Sequence, residues 1–245
     1  MRILSILLIA GLLSSCKQEV IMQDSNLGHW VNKDYLKELK ANRSPKDVSV
    51  PLLELFFEKN DSNYVFYFIG RDSYTGKYIP NEEGKLIATS FARSGQDYEF
   101  NFTDTALSLY NLVTHETMEF VKIREEELKQ TKNNRKYKSF AIPYINNLLI
   151  AGNYTLGDSS ITFTEEGYIL GLDRFQTYSL CLTRDCLNAS GSNVMYLANK
   201  RNEGLYYDVE FINDSLIIYN INEQDFLFNA KASRKERLYA LKKIN

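Results

Sequence analysis

Alternation of apolar and polar positions governs most of this chain from residue 50 onward. Apolar-rich runs at 52–57, 64–69, 85–91, 98–102, 107–111 and 118–123 are separated by segments such as Asp61-Ser62-Asn63, Asn81-Glu82-Glu83-Gly84 and Ser94-Gly95-Gln96-Asp97. Gly and Asn accept positive φ and Asp bonds to its own backbone, so these clusters read as turns and the runs as strands. A second series runs through Gly152-Asn153-Tyr154, 160–164, 168–171, 175–182, 193–197, 205–212, 215–220, 226–228 and 237–242, with Glu165-Glu166-Gly167 as a hairpin turn. Helical spacing is confined to short stretches. Tyr35, Leu36 and Leu39 share one face of a helix over 33–41, which ends before Ser44-Pro45. A second short helix is expected over 142–149, where the two series meet. Residues 124–138 are charged and nearly free of large apolar side chains, which marks a boundary. The pattern predicts an all-β protein of two tandem antiparallel barrels, at 27–123 and 151–245. The first contains a short helix, and a helical linker at 124–150 joins them. One continuous barrel or sandwich is the alternative.

The two halves also look related to each other. Tyr98-Glu99-Phe100-Asn101-Phe102-Thr103-Asp104 aligns with Tyr207-Asp208-Val209-Glu210-Phe211-Ile212-Asn213 and runs on without a gap to Tyr110-Asn111 and Tyr219-Asn220. Five of the fourteen positions are identical. Tyr98, Phe100 and Phe102 alternate with polar residues, as do Tyr207, Val209 and Phe211, so each segment has one buried and one wet face. Each half opens with Gly-x-aromatic and closes with an apolar-basic strand, at 118–122 and 238–242.

Composition sharpens this picture. Seventeen Tyr and fourteen Phe against four Pro favour strands and tight turns. The 29 basic and 31 acidic side chains leave a net charge of −2, so nothing points to nucleic acid as a partner. The first residues change the setting. Arg2 is followed by an apolar run from Ile3 to Leu13 and then by Ser14-Ser15-Cys16. Charge, apolar run and small residues form the pattern of a secretory signal over 1–15, and the run is too short for a bilayer span of about 20 residues. If Cys16 carries lipid, residues 16–26 become a lipidated tether. Of the three cysteines, Cys181 and Cys186 then remain, either as one disulfide closed in an oxidising compartment or as two separate thiols.

Leu13-Ser14-Ser15-Cys16, Gly28-x-Trp30 and Tyr35-Leu36 before Arg43-Ser44-Pro45 carry a resemblance. So do Gly152-x-Tyr154, Phe163-Thr164 before Gly167, and Leu216 to Tyr219. With these motifs the chain resembles the lipocalin-like lipoproteins of Bacteroidetes-type bacteria over most of its length. The resemblance implies acylation of Cys16 at a lipobox and lipocalin-like barrels. It also implies a barrel floor where the first-strand Trp packs against a basic residue of the last strand. Carried over, Trp30 meets Lys122 or Arg124 as a cation–π pair, and Tyr154 takes the same place near Lys242. In that group acidic residues just after the Cys accompany surface export. Lys17-Gln18-Glu19 offers one acid, so the expected location is the periplasmic face of the outer membrane, with the surface as the alternative.

No catalytic constellation stands out. His29 and His115 are the only histidines, and His115-Glu116-Thr117-Met118-Glu119 lacks the second His of a zinc helix. No Gly-x-Ser-x-Gly elbow or Gly-rich phosphate loop is present, and Glu125-Glu126-Glu127 is a solvated run. No metal and no cofactor is expected. The sequence therefore predicts a non-enzymatic envelope protein held to the membrane by its lipid, binding a small apolar ligand or a partner protein. An immunity or inhibitor-type interaction protein of the periplasm and an envelope hydrolase are the rivals.

Overall fold

The computed structural model describes residues 24–50, 52–60, 63–69, 74–77, 79–80, 86–91, 96–103, 105–123, 139, 141–182, 192–222 and 234–244. A 3-10 turn, Asp24–Asn26, leads into β1 (Gly28–Asn32) and helix α1 (Lys33–Asn42). Asn32 caps α1, its Oδ1 accepting from Tyr35 N at 3.0 Å. The helix closes on Arg43, which has the left-handed φ of 49° and donates its N–H to Leu39 O at 2.8 Å. Glycine is the residue that takes this position without steric cost. Arg43→Gly is expected to raise stability by about 1 kcal/mol, seen as a higher Tm in thermal denaturation.

After a second 3-10 turn, Pro45–Asp47, the chain forms β2 (Glu54–Asn60), β3 (Asn63–Ile69), β4 (Tyr74–Lys77) and β5 (Ile79–Pro80). It continues through β6 (Leu86–Phe91), β7 (Gln96–Phe102), β8 (Ala106–Asn111) and β9 (Thr117–Ile123). All pairings are antiparallel, in the order β4-β3-β2-β1-β9-β8-β7-β6-β5, so β1 lies centrally between β2 and β9. Neither β4 nor β5 was marked by the hydrophobic pattern.

Helix α2 (Ala141–Leu149) opens the second half. There follow β10 (Gly152–Leu156), β11 (Ser159–Phe163), β12 (Ile169–Leu170), β13 (Thr177–Leu180), β14 (Val194–Ala198), β15 (Gly204–Ile212), β16 (Ser215–Ile221) and β17 (Arg234–Ile244). Their order is β12-β11-β10-β17-β16-β15-β14-β13. The two ends of this sheet meet through a Tyr168–Thr177 bridge, with Ile169 N donating to Gln176 O at 2.8 Å and Tyr178 N to Gly167 O at 2.7 Å. The sheet thus curls almost closed. The expected boundary at 124–138 and the expected strand at 226–228 lie outside the described residues.

The aligned hairpins occupy matching places. Tyr98 faces Asn111 and Phe100 faces Leu109 across β7 and β8, while Tyr207 faces Asn220 and Val209 faces Ile218 across β15 and β16. Each hairpin is followed by the strand that closes onto the first strand of its half.

Two clusters form the core. Trp30, Leu55, Phe57, Phe100, Leu107, Leu109 and Phe120 pack on the inner face of the first sheet. The second cluster fills the second sheet, with Tyr154, Phe163, Leu197, Val209, Ile218 and Leu241 among its members. It also takes in α2 and reaches back to the first half. Tyr35, Leu36 and Leu39 of α1, together with Val31 and Ile123 from the outer face of β1 and β9, belong to it. Helix α1 lies within the first half in sequence, yet its apolar stripe is buried in the core of the second. Strand β1 is consequently buried on both faces, from His29 through Asn32.

Side chains tie the same junction. Glu54, at the start of β2, accepts from Ser139 Oγ and, at 3.1 Å, from Ala141 N at the first turn of α2. A carboxylate there complements the helix dipole and satisfies an end donor. Asn193 accepts from Ser44 Oγ at 3.1 Å and from Lys46 N at 2.9 Å. Asn193→Ala leaves the buried Ser44 hydroxyl and the part-buried Lys46 N–H without this acceptor and is expected to cost about 2 kcal/mol, read as a lower urea midpoint with an unchanged m-value.

Candidate functional site

The same device is built at the base of both sheets. In the first, Gly28 enters β1 at φ +110°, and a Cβ there would stand 3.4 Å from Lys122 Cε. Trp30 is paired across the sheet with Lys122 on β9. The Lys122 ammonium lies 5.9 Å from the Trp30 ring and donates to Ser25 O at 2.7 Å. Trp30 Nε1 donates to Asn26 O at 3.1 Å. The indole is fully buried, with the Phe102 ring edge-on at 5.9 Å.

In the second sheet Gly152 has φ +145°, and a Cβ would meet Lys243 Cε at 2.6 Å, so the stem of the lysine occupies the space a side chain would need. Tyr154 faces Lys243, whose ammonium lies 5.9 Å from the ring and donates to Ala151 O at 3.0 Å. Tyr154 Oη donates to Ile150 O at 2.6 Å, again four residues upstream. Burial pushes the Tyr154 hydroxyl up to about 12, with the Arg43 charge opposing. Burial lowers Lys243, and the like charge of Arg43 adds to the effect.

The expected partner of Tyr154 needs correction. Lys242 is exposed, faces outward and pairs with Thr155 and Ser215. Lys243 stands where Lys242 was expected. The two lysines are adjacent in sequence, and successive residues of a strand point to opposite faces. For Trp30 the expected cation is Lys122, and Arg124 lies outside the described residues.

No protein-family model, curated protein or solved structure matches the chain.

His29 lies on the outer face of β1, stacked on the Phe56 ring at 4.2 Å with 10° between planes. Burial lowers its pKa from 6.5 to about 4, so the ring is neutral at pH 7. His115 sits on the exposed β8–β9 turn at φ 61°, its Nδ1 2.8 Å from Tyr110 Oη. The structure brings neither together with the other. Among the described residues no group of three His, Cys, Asp or Glu gathers as a metal site, and no helix is long and apolar enough to cross a membrane. Cys16 and Cys186 fall outside the described residues, while Cys181 follows β13 directly.

One charged cluster carried no signal in the sequence. Asp208, buried on β15, accepts from Arg234 Nε at 2.8 Å, and Glu210 pairs with the same guanidinium at 2.6 Å. That guanidinium lies 4.0 Å from the centre of the Tyr219 ring. Arg234 is held strongly in its charged form by these bonds, the one to Asp208 first. The cluster joins β15, β16 and β17 and acts as a structural clamp. Glu54 was missed for the same reason: its partners lie more than eighty residues away.

Proposed function

We propose that this is a lipid-anchored cell-envelope protein of the lipocalin-like group that works by binding, without catalysis, and that its partner is a protein met on the outer surface of the barrels. The observation that carries this reading is how the barrel interiors are used. Phe163 packs edge-on against Tyr154 at 5.5 Å and Tyr178 at 5.3 Å, and Phe175 against Tyr207 at 5.4 Å. In the first sheet Phe57 packs edge-on against Phe100 at 5.6 Å and Phe102 at 5.2 Å. Side chains that fill each other's space in this way leave recognition to the exterior. The neutral, buried His29 and the turn-borne His115 agree with a protein that performs no chemistry. The signal pattern and lipobox at Cys16 support the anchor and the periplasmic face of the outer membrane. Cys181 and Cys186, the two cysteines left once Cys16 carries lipid, are read as one disulfide closed in an oxidising compartment.

In-cell crosslinking followed by purification tests the reading. A defined protein partner recovered at stoichiometric yield supports it. Recovery of the protein alone, with an apolar molecule identified by mass spectrometry of the native-host material, replaces it with a second reading. That reading is the binding of a small apolar ligand.

A further inference from the structure

Side chains fill the inside of each sheet, and the outer wall of β1 and β9 is covered by α1 and the core of the second half. The wall of β10 and β17 stands at the matching place in the second half and is exposed. Register sets its outward residues in rows. Ser160 of β11, Thr155 of β10, Lys242 of β17, Ser215 of β16 and Ile212 of β15 face one another in turn. Their neighbours Ile161, Tyr154, Leu241 and Leu216 are buried in the core, so this row lies on the opposite face. Lys242 is its centre, flanked on both sides by hydroxyls. Further along β17, the exposed Arg237 pairs with Tyr219. The partners of the two cations on β16, Ser215 and Tyr219, are about 13 Å apart along the strand.

Among the described residues neither Arg237 nor Lys242 has an ion-pair partner. The acids of these strands are engaged or marginal. Asp208 and Glu210 pair with Arg234, Glu236 accepts from Asn220 Nδ2 at 3.4 Å, and Asp158 and Asp214 lie in turns between strands. A surface that only keeps a sheet soluble mixes both signs. A local excess of cations in a chain of net charge −2 is a departure from that mixture. An ammonium between hydroxyls suits a carboxylate, because the lysine supplies charge and each Ser or Thr an O–H donor. Ile212 and Ile244, half exposed beside Lys242, add apolar contact. A lipid surface is a poorer match: each cation contributes only about 1 kcal/mol there, and two do not hold a wall against it.

We propose that the outer wall of β10 and β17, centred on Lys242 and Arg237, docks an acidic face of a partner protein. The proposal deepens the reading of this molecule as an envelope binding protein and rests on it.

Photocrosslinking in the native host tests it. The full-length lipidated chain carries a benzophenone amino acid in place of Ala240, which is exposed between Arg237 and Lys242. A protein adduct is expected, with its linked peptide rich in Asp and Glu. Adding Lys242→Glu or Arg237→Glu to that chain is expected to reduce the adduct about tenfold or more. Lys200→Glu, on the exposed turn between β14 and β15, is expected to leave it within about twofold. Circular dichroism of the purified variants confirms that each stays folded. An adduct indifferent to Lys242→Glu and Arg237→Glu, an equal loss with Lys200→Glu, a linked peptide without acidic residues, or a lipid adduct overturns the site. No adduct from position 240, in cells where chemical crosslinking recovers a partner, overturns the wall and leaves the binding reading standing. No partner by either route overturns both.

Discussion

Trp30→Ala is expected to lower the stability of the folded protein by about 3–5 kcal/mol, the range for removing a large, fully buried aromatic side chain. The indole contributes at several levels. It is wholly buried at the centre of the first core cluster, meets the Phe102 edge and the Lys122 ammonium, and donates to Asn26 O. Truncation leaves a cavity, frees Lys122 and unfastens the entry turn. Trp30→Phe keeps the apolar bulk and loses the N–H donor, and is expected to cost about half as much. Urea denaturation followed by Tyr fluorescence or circular dichroism measures both. A cost below 1 kcal/mol for Trp30→Ala would show that the floor is not organised around the indole.

Acid is expected to weaken the protein through His29. Above pH 6.5 the ring is neutral in both states and contributes no pH dependence. As pH falls from 6.5 toward 4, the unfolded chain takes up a proton that the folded state refuses, because burial holds the folded pKa at about 4. Stability is lost across that window and the loss levels off below it. The full difference amounts to about 3 kcal/mol. His29→Gln removes the titration. The gap in unfolding free energy between wild type and variant should therefore change by about 3 kcal/mol between pH 7 and pH 4, with carboxylate effects common to both cancelling. A constant gap would place His29 in contact with water.

Much of the architecture is legible in the residue pattern, and the losses have identifiable causes. Alternation located most strands, because one face of each is buried and a shift of one residue would turn it outward. It did not mark β4 (Tyr74–Lys77) and β5 (Ile79–Pro80), which are short and carry Gly76 and Pro80. The stripe of Tyr35, Leu36 and Leu39 announced a buried helix face, but a stripe does not say which core receives it. It lies against Ile145, Leu149 and the interior of the second sheet. The Trp30–Lys122 pair was readable from its motif and strand position. The Tyr154 pair was readable only to within one residue, since Lys242 and Lys243 differ solely in the face they occupy. Glu54 and Asp208 gave no signal, because a charge inside an apolar run reads as the wet side of a strand until its distant partner is known.

The wall shared by the two halves has a counterpart that is exposed among the described residues. Where the first half presents His29, Val31, Val121 and Ile123 to its neighbour, the matching positions of the second half are Asn153, Thr155, Lys242 and Ile244. Thr162 Oγ1 donates to Asn153 Oδ1 beside them, Lys242 is charged and exposed, and Ile244 alone keeps the apolar character. A head-to-tail contact that does not close on itself can add copies without limit. The polar residues on this face oppose such a contact: another molecule that offered its own helices here would have to desolvate the Lys242 ammonium and the side chains of Asn153 and Thr155.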